Sequence, residues 1–241
     1  LKNNLKIFPE VVTFMNYKNF LTLGSKESDV LINGLSNSMY LAVITVLIGM
    51  PLSVVTGYAL ARYKIKFKNL IISFILMTIV IPVFTTIIPI YSFFMEHSML
   101  DSMLWTSVIF ISAFIPLNIW IIMNYFRELP EDLWEAAAIE GANERQLFFQ
   151  IGLPLAKPIV LTSSLVIFLM SWKQYIIPML LLSSHNNKVL TLIMSEFMTR
   201  DAINYSVIAM SGIIVIIPPL LASIIFRKNL VSGLTAGSVK E

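Results

Sequence analysis

The 241-residue chain contains no cysteine, so a disulfide, a thiolate metal site and a cysteine nucleophile are all excluded. Charge is scarce too: Asp, Glu, Lys and Arg make up 13% of the residues, where a soluble domain carries roughly 25%. With 57% hydrophobic residues and a mean hydropathy of +0.80, the composition predicts an integral membrane protein. The only two histidines, His97 and His185, have no carboxylate or second histidine at ligand spacing and read as solvated loop residues. There is no HExxH, no nucleophile elbow and no paired acid to suggest a membrane enzyme. Residues 233–240 offer glycines and a lysine, but not in the order GxxxxGK[ST], so no ATP site is indicated and no cofactor is expected. A net charge of +3 gives no argument for nucleic acid.

Five long runs nearly free of charge remain, each enough for the about 20 apolar residues that a spanning helix needs. They place spans at 39–61, 69–95, 102–126, 158–182 and 205–226. The expected fold is therefore all-α, a polytopic helical membrane protein. Prolines inside the runs, such as Pro82, Pro89 and Pro116, predict kinks or breaks within a bundle. Residues 1–33 mix charge with scattered aromatics and read as an extracytoplasmic lead-in, and residues 34–227 as the transmembrane domain. Residues 228–241 form a tail too glycine-rich to fold alone. Basic residues favour the cytoplasmic side. Arg62, Lys64, Lys66 and Lys68 follow span one, Arg127, Arg145 and Lys157 follow span three, and Arg227 and Lys228 follow span five. Those segments are assigned to the cytoplasm. The same parity puts the lead-in outside and predicts a further span upstream of it, unaided translocation of the lead-in being the alternative.

Residues 129–157 are the one inter-span stretch punctuated like a folded element. Pro130 with Glu131 and Asp132 reads as a helix start. Gly141 can take the left-handed conformation that closes a helix, and Asn143 with Gln146 offers a capping box for a second one. A helical hairpin results, ended by Pro154 and Pro158. Ala136, Ala137 and Ala138 favour helix and allow close approach, while Leu133, Trp134 and Ile139 supply area to bury. Glu135 is placed to accept hydrogen bonds or pair with a base. An amphipathic helix lying on lipid headgroups is the alternative, but Glu131, Asp132, Glu135, Glu140 and Glu144 suit an anionic leaflet poorly.

Glu135-Ala136-Ala137, then Gly141, nine residues, and Ile151-Gly152-Leu153-Pro154 resemble the EAA signature of membrane subunits of binding-protein-dependent ABC importers. Leu129-Pro130, Pro158 and the tail Gly233-Leu234-Thr235-Ala236-Gly237 are similar to the carbohydrate branch of that family. The resemblance implies a type I importer fold with six spans in this subunit, in a bacterial cytoplasmic membrane. It implies sugar import driven by ATP that partner subunits hydrolyse. The partners are a homologous second membrane subunit, two ATPase subunits, an extracytoplasmic solute-binding protein, the sugar and the surrounding lipid. ATPase coupling falls to Glu135, Ala136, Ala137, Gly141, Ile151, Leu153 and Pro154, and ATPase contact in the tail to Gly233, Leu234, Thr235 and Gly237. An ion-coupled secondary transporter is the alternative, although no Asp or Glu lies within any run.

A sugar path needs aromatic faces and hydrogen-bonding groups. Trp172, Lys173, Gln174 and Tyr175 cluster within the fourth run, and Asn118 adds an amide in the third. For the aromatics and amides, helix packing is an equal reading. Lys173, placed half-way along its span with no acid to neutralise it, is the most unusual of them. The family commonly has Asn there, so Lys173 raises an acidic sugar as substrate, with a pairing role within the subunit interface as an equal reading.

Overall fold

In hydrocarbon a backbone must satisfy its own polar groups, so apolar runs of this length fold as helices. A computed structural model describes residues 14, 15, 17, 18, 26–199 and 205–235, and every regular element among them is helical. In chain order these are α1 (Lys26–Arg62), α2 (Lys68–Val80), α3 (Val83–Glu96), α4 (Met103–Glu128) and α5 (Glu131–Ile139). There follow α6 (Glu144–Trp172), α7 (Ile176–Leu181), α8 (Leu190–Thr199) and α9 (Tyr205–Thr235). Among the described residues four helices are long and apolar enough to cross a membrane, and α2 with α3 makes a fifth crossing if the bent pair counts as one.

Several bounds differ from the sequence expectation, each for a local reason. α1 begins at Lys26, inside the expected lead-in. Its early turns are not surplus, because Leu31 is buried against α8 beside Leu190 and Ile193. Residues 1–13, 16 and 19–25 of the lead-in lie outside the described part. The second span is two helices meeting at 92°, because Pro82 has no N–H to continue the ladder across Ile81. Pro130 precedes its helix as the N-cap rather than opening it. The largest correction concerns the hairpin's far end. Pro154 and Pro158 do not terminate it, since α6 runs without interruption from Glu144 through both. A π-helical segment, Leu147–Gly152, ends two residues before Pro154. Its wider i→i+5 turn lets the chain enter a proline-bearing helix without stopping.

α1 is the organising helix, packed along α4, α6 and α8, while α9 covers α6 and α2 leans on α4. Small residues let these backbones approach. A Cβ on Gly57 would lie 2.8 Å from Ile122 Cγ2 and 3.0 Å from the Met123 nitrogen, so the α1–α4 crossing requires a residue without one. α2 buries none of its residues, and its apolar face is left for lipid or another subunit. α9 continues past the expected end of span five to Thr235, which places Gly233, Leu234 and Thr235 in its last turn. The side chains of residues 227–235, and Gly237 with the rest of residues 236–241, lie outside the described part.

Candidate functional site

The hairpin is held at its base by aromatic packing. Trp134 is 2% exposed and Ala137 is buried beside it, in a cluster with Tyr58, Phe126 and Leu147. Tyr58 is the hub: its ring centroid lies 5.2 Å from Phe126, 5.9 Å from Trp134 and 4.9 Å from Phe148. Gly152 permits this closeness, since a Cβ there would lie 3.2 Å from Trp134 Cη2. Between the two helices Gly141 takes φ +86°, as its position demanded. The Asn143 side chain accepts from the Gln146 N–H at 3.0 Å, and the Gln146 side chain accepts from the Asn143 N–H at 2.9 Å, completing the capping box.

Around this box run two polar contacts that the sequence did not disclose. Arg62 donates to Glu131 Oε2 at 2.9 Å, and its guanidinium carbon stands 4.5 Å from the centre of the Trp134 ring. Tyr63 donates its hydroxyl to Glu144 Oε2 at 2.8 Å. That hydrogen bond, with some burial, pushes the Tyr63 phenol up to about 12. Glu135, expected to pair with a base, is instead exposed, and Glu131 takes the arginine. Ala136, Leu133 and Ile139 face outward, the last 86% exposed. Ile151 and Leu153 pack on the aromatic cluster, and Pro154 is exposed.

The four residues expected to line a path together are dispersed by a break in the helix. α6 stops at Trp172, Lys173 caps it, and α7 starts at Ile176. Trp172 is buried and donates Nε1 to the Val215 carbonyl of α9 at 3.2 Å, so it fastens helices together. The Tyr175 hydroxyl meets Ser195 Oγ of α8 at 3.3 Å. Asn118 is fully buried, donating to the Phe114 carbonyl at 2.9 Å. Of the four, Gln174 lines a cavity of about 470 Å³, together with Thr78, Thr86, Ser112 and Leu117 beside the bend of the second span. Lys173 is exposed and caps the C-terminal end of α6, where the helix stops.

Comparison with known proteins places this arrangement. The family described as the binding-protein-dependent transport system inner membrane component matches residues 49–235, a stretch that includes the whole hairpin. The chain belongs to that family. It is 28% identical over 98% of its length to the trehalose transport system permease protein SugB of Mycobacterium tuberculosis, spanning 85% of that protein. It is 29% identical over 98% of its length to the arabinooligosaccharides transport system permease protein AraQ of Bacillus subtilis, spanning 82% of it. A crystal structure of a bacterial ABC transporter involved in import of the acidic polysaccharide alginate superposes with TM-score 0.76 at 22% identity, over 90% of this chain and 79% of that one. The fold is thus that of an importer permease, embedded in the inner membrane and acting in transport.

At the end of this membrane component opposite the hairpin, Asp101 ties the connections together. Its carboxylate accepts from the Ser183 and Ser184 N–H groups at 3.0 and 2.9 Å, and its carbonyl accepts from the Asn187 amide at 2.7 Å. Burial alone would raise its pKa, but hydrogen bonds from Ser184 and Ser183 outweigh that and hold the carboxyl below its usual range. Asn37 donates to the Asn186 and Lys188 carbonyls at 2.7 and 2.9 Å, and Ser38 accepts from the Leu190 N–H at 2.8 Å. Lys188 pairs with Glu196.

Proposed function

We propose that this chain forms half of the translocation path of an ATP-driven carbohydrate importer, with oligosaccharide as the substrate class. It pairs with a homologous membrane subunit, two ATPase subunits that hydrolyse the ATP, and an extracytoplasmic binding protein. The observation that carries the reading is the two-faced hairpin: Trp134 and Ala137 are locked into the spans while Leu133, Ala136 and Ile139 present apolar area outward. In hydrocarbon such exposure is unremarkable, but on a charged hairpin outside the spans it suits a protein groove. Glu135, Ala136, Ala137, Gly141, Ile151, Leu153 and Pro154 are the coupling residues on this reading, and Gly233, Leu234, Thr235 and Gly237 a second ATPase contact. The relatives that carry trehalose and arabinooligosaccharides in their names support a sugar. Gln174, with the hydroxyls of Thr78, Thr86 and Ser112, is the candidate path. Asn118, Trp172 and Tyr175 support it from behind. Lys173 favours an acidic sugar, because no carboxylate of the described residues lies within ion-pair distance of this exposed cation. The alginate importer supports the fold alone.

Orientation and coupling are tested together. The chain has no cysteine, so single cysteines at Asn143 and His185 can be labelled with impermeant reagents, and each is expected to react from one opposite face. Ile139→Glu is expected to reduce co-purification of the ATPase at least several-fold without impairing insertion. Sugar uptake into vesicles depolarised with ionophore should still follow ATP. Labelling of both positions from one face, or uptake abolished by the ionophore, overturns the reading.

A further inference from the structure

Two adjacent residues at the end of α1 reach the first turns of both hairpin helices, Arg62 to Glu131 of α5 and Tyr63 to Glu144 of α6. One attachment would leave the hairpin free to pivot about it. Two, on either side of the Tyr58 aromatic box, leave no rotation that does not break a contact. A first helical turn is also where the helix dipole favours the negative charge of such acceptors. Glu131 is 74% exposed, and a pair so open to solvent adds little stability. Its consequence is directional.

We propose that Arg62 and Tyr63 are positioning residues for energy coupling, clamping both hairpin helices to α1 so that the hairpin and the longest helix of the bundle move as one body when ATP acts on the partner. This rests on the hairpin being the ATPase-docking element. α1 is the helix to receive that motion, because it packs along α4, α6 and α8 and can pass a displacement to all three. The hairpin is also continuous with α6 through the π-helical segment, so α6 would carry motion by covalent continuity and α1 by the clamp. A bundle driven along both helices turns as a unit instead of shearing between them.

The complex, purified through a tag on this chain, tests the clamp by distance measurement between spin labels on cysteines at Val55 and Glu140, both exposed. The expected result is one narrow distance shared by the nucleotide-free state and the ATP–vanadate state. With Arg62→Gln and Tyr63→Phe combined, the distribution is expected to broaden or to differ between the two states, while the ATPase still co-purifies. Arg62→Glu with Glu131→Arg should restore part of the narrow distribution. A wild-type distance that changes with nucleotide, or a double variant as narrow as wild type, overturns the proposal. Gly141→Val reads the docking element separately: unchanged ATPase recruitment there overturns the coupling reading, whatever the label distances show.

Discussion

The two ends of this bundle are built by different kinds of instruction. At the hairpin end the shaping signals act within a few residues of where they stand: Gly141 turns its own backbone, and Asn143 and Gln146 cap the helix they begin. At the opposite end the connections are held by partners far apart in the chain, Asp101 to Ser183 across 82 residues and Ser38 to Leu190 across 152. The first kind can be read before folding and the second cannot. Asp101, Asn37 and Ser38 look like ordinary loop and helix residues until the fold brings residues 183–190 over them. The hairpin end has the same blind spot one level up. Arg62 reads as one positive charge of a cytoplasmic loop, and only the fold shows it meeting Glu131, with Tyr63 beside it meeting Glu144.

The sharpest test of this contrast removes the aromatic anchor of the hairpin end. Trp134→Ala deletes a buried side chain whose neighbours Tyr58, Phe126 and Gly152 belong to three other elements, and it is expected to cost roughly 3–5 kcal/mol. The apparent melting temperature of the detergent-purified protein measures this. Trp134→Phe is expected to be much milder. It keeps a ring in place and removes a buried indole N–H that has no acceptor among the described residues. Equal losses for the two would mean that the hairpin does not depend on filling that box.

Asp101→Ala, at the other end, should cost about 1–3 kcal/mol, the range for hydrogen bonds to a charged acceptor discounted for partial exposure. Its pH dependence has a definite sign. The folded carboxyl titrates below its ordinary value, so its contribution is present above the unfolded pKa of about 3.9 and is lost as pH falls through the folded one. The gap between wild-type and variant melting temperatures should therefore be constant near neutrality and close in acid below about pH 4. A gap that instead closed on the alkaline side would assign the linkage to another group. Protease cleavage within residues 183–189 should also quicken in the variant, since the Ser183 and Ser184 N–H groups lose their acceptor.

How much of the site was legible follows the same division. Glycine, proline and capping residues gave the hairpin its turn and its start, but the exit was misread, because a proline is taken to stop a helix unless a π-helical segment precedes it, and no residue pattern announces such a segment. Trp172-Lys173-Gln174-Tyr175 looked like one polar cluster because the residues are consecutive. A helix end sends consecutive side chains in different directions, and here Trp172 turns to α9, Tyr175 to α8 and Gln174 to the cavity.

Lys173 gives the smallest effect on stability and the most specific one on transport. At the centre of a span its charge would cost about 2.5–3.5 kcal/mol, and its replacement would stabilise the protein. The residue instead ends α6 as its C-cap and is exposed there, where a cation complements the helix dipole. Lys173→Gln should then change the melting temperature by the equivalent of about 0.5 kcal/mol or less. If the cation guides an acidic sugar toward the cavity that Gln174 lines, uptake of a uronic-acid-containing oligosaccharide should fall several-fold in this variant while a neutral oligosaccharide is little affected. Raising the salt concentration should narrow the wild-type preference, since an exposed charge is screened within about 8–10 Å. Equal losses for both sugars, together with poorer assembly with the second membrane subunit, would place the partner of Lys173 on that subunit and leave the sugar's charge unread by this chain.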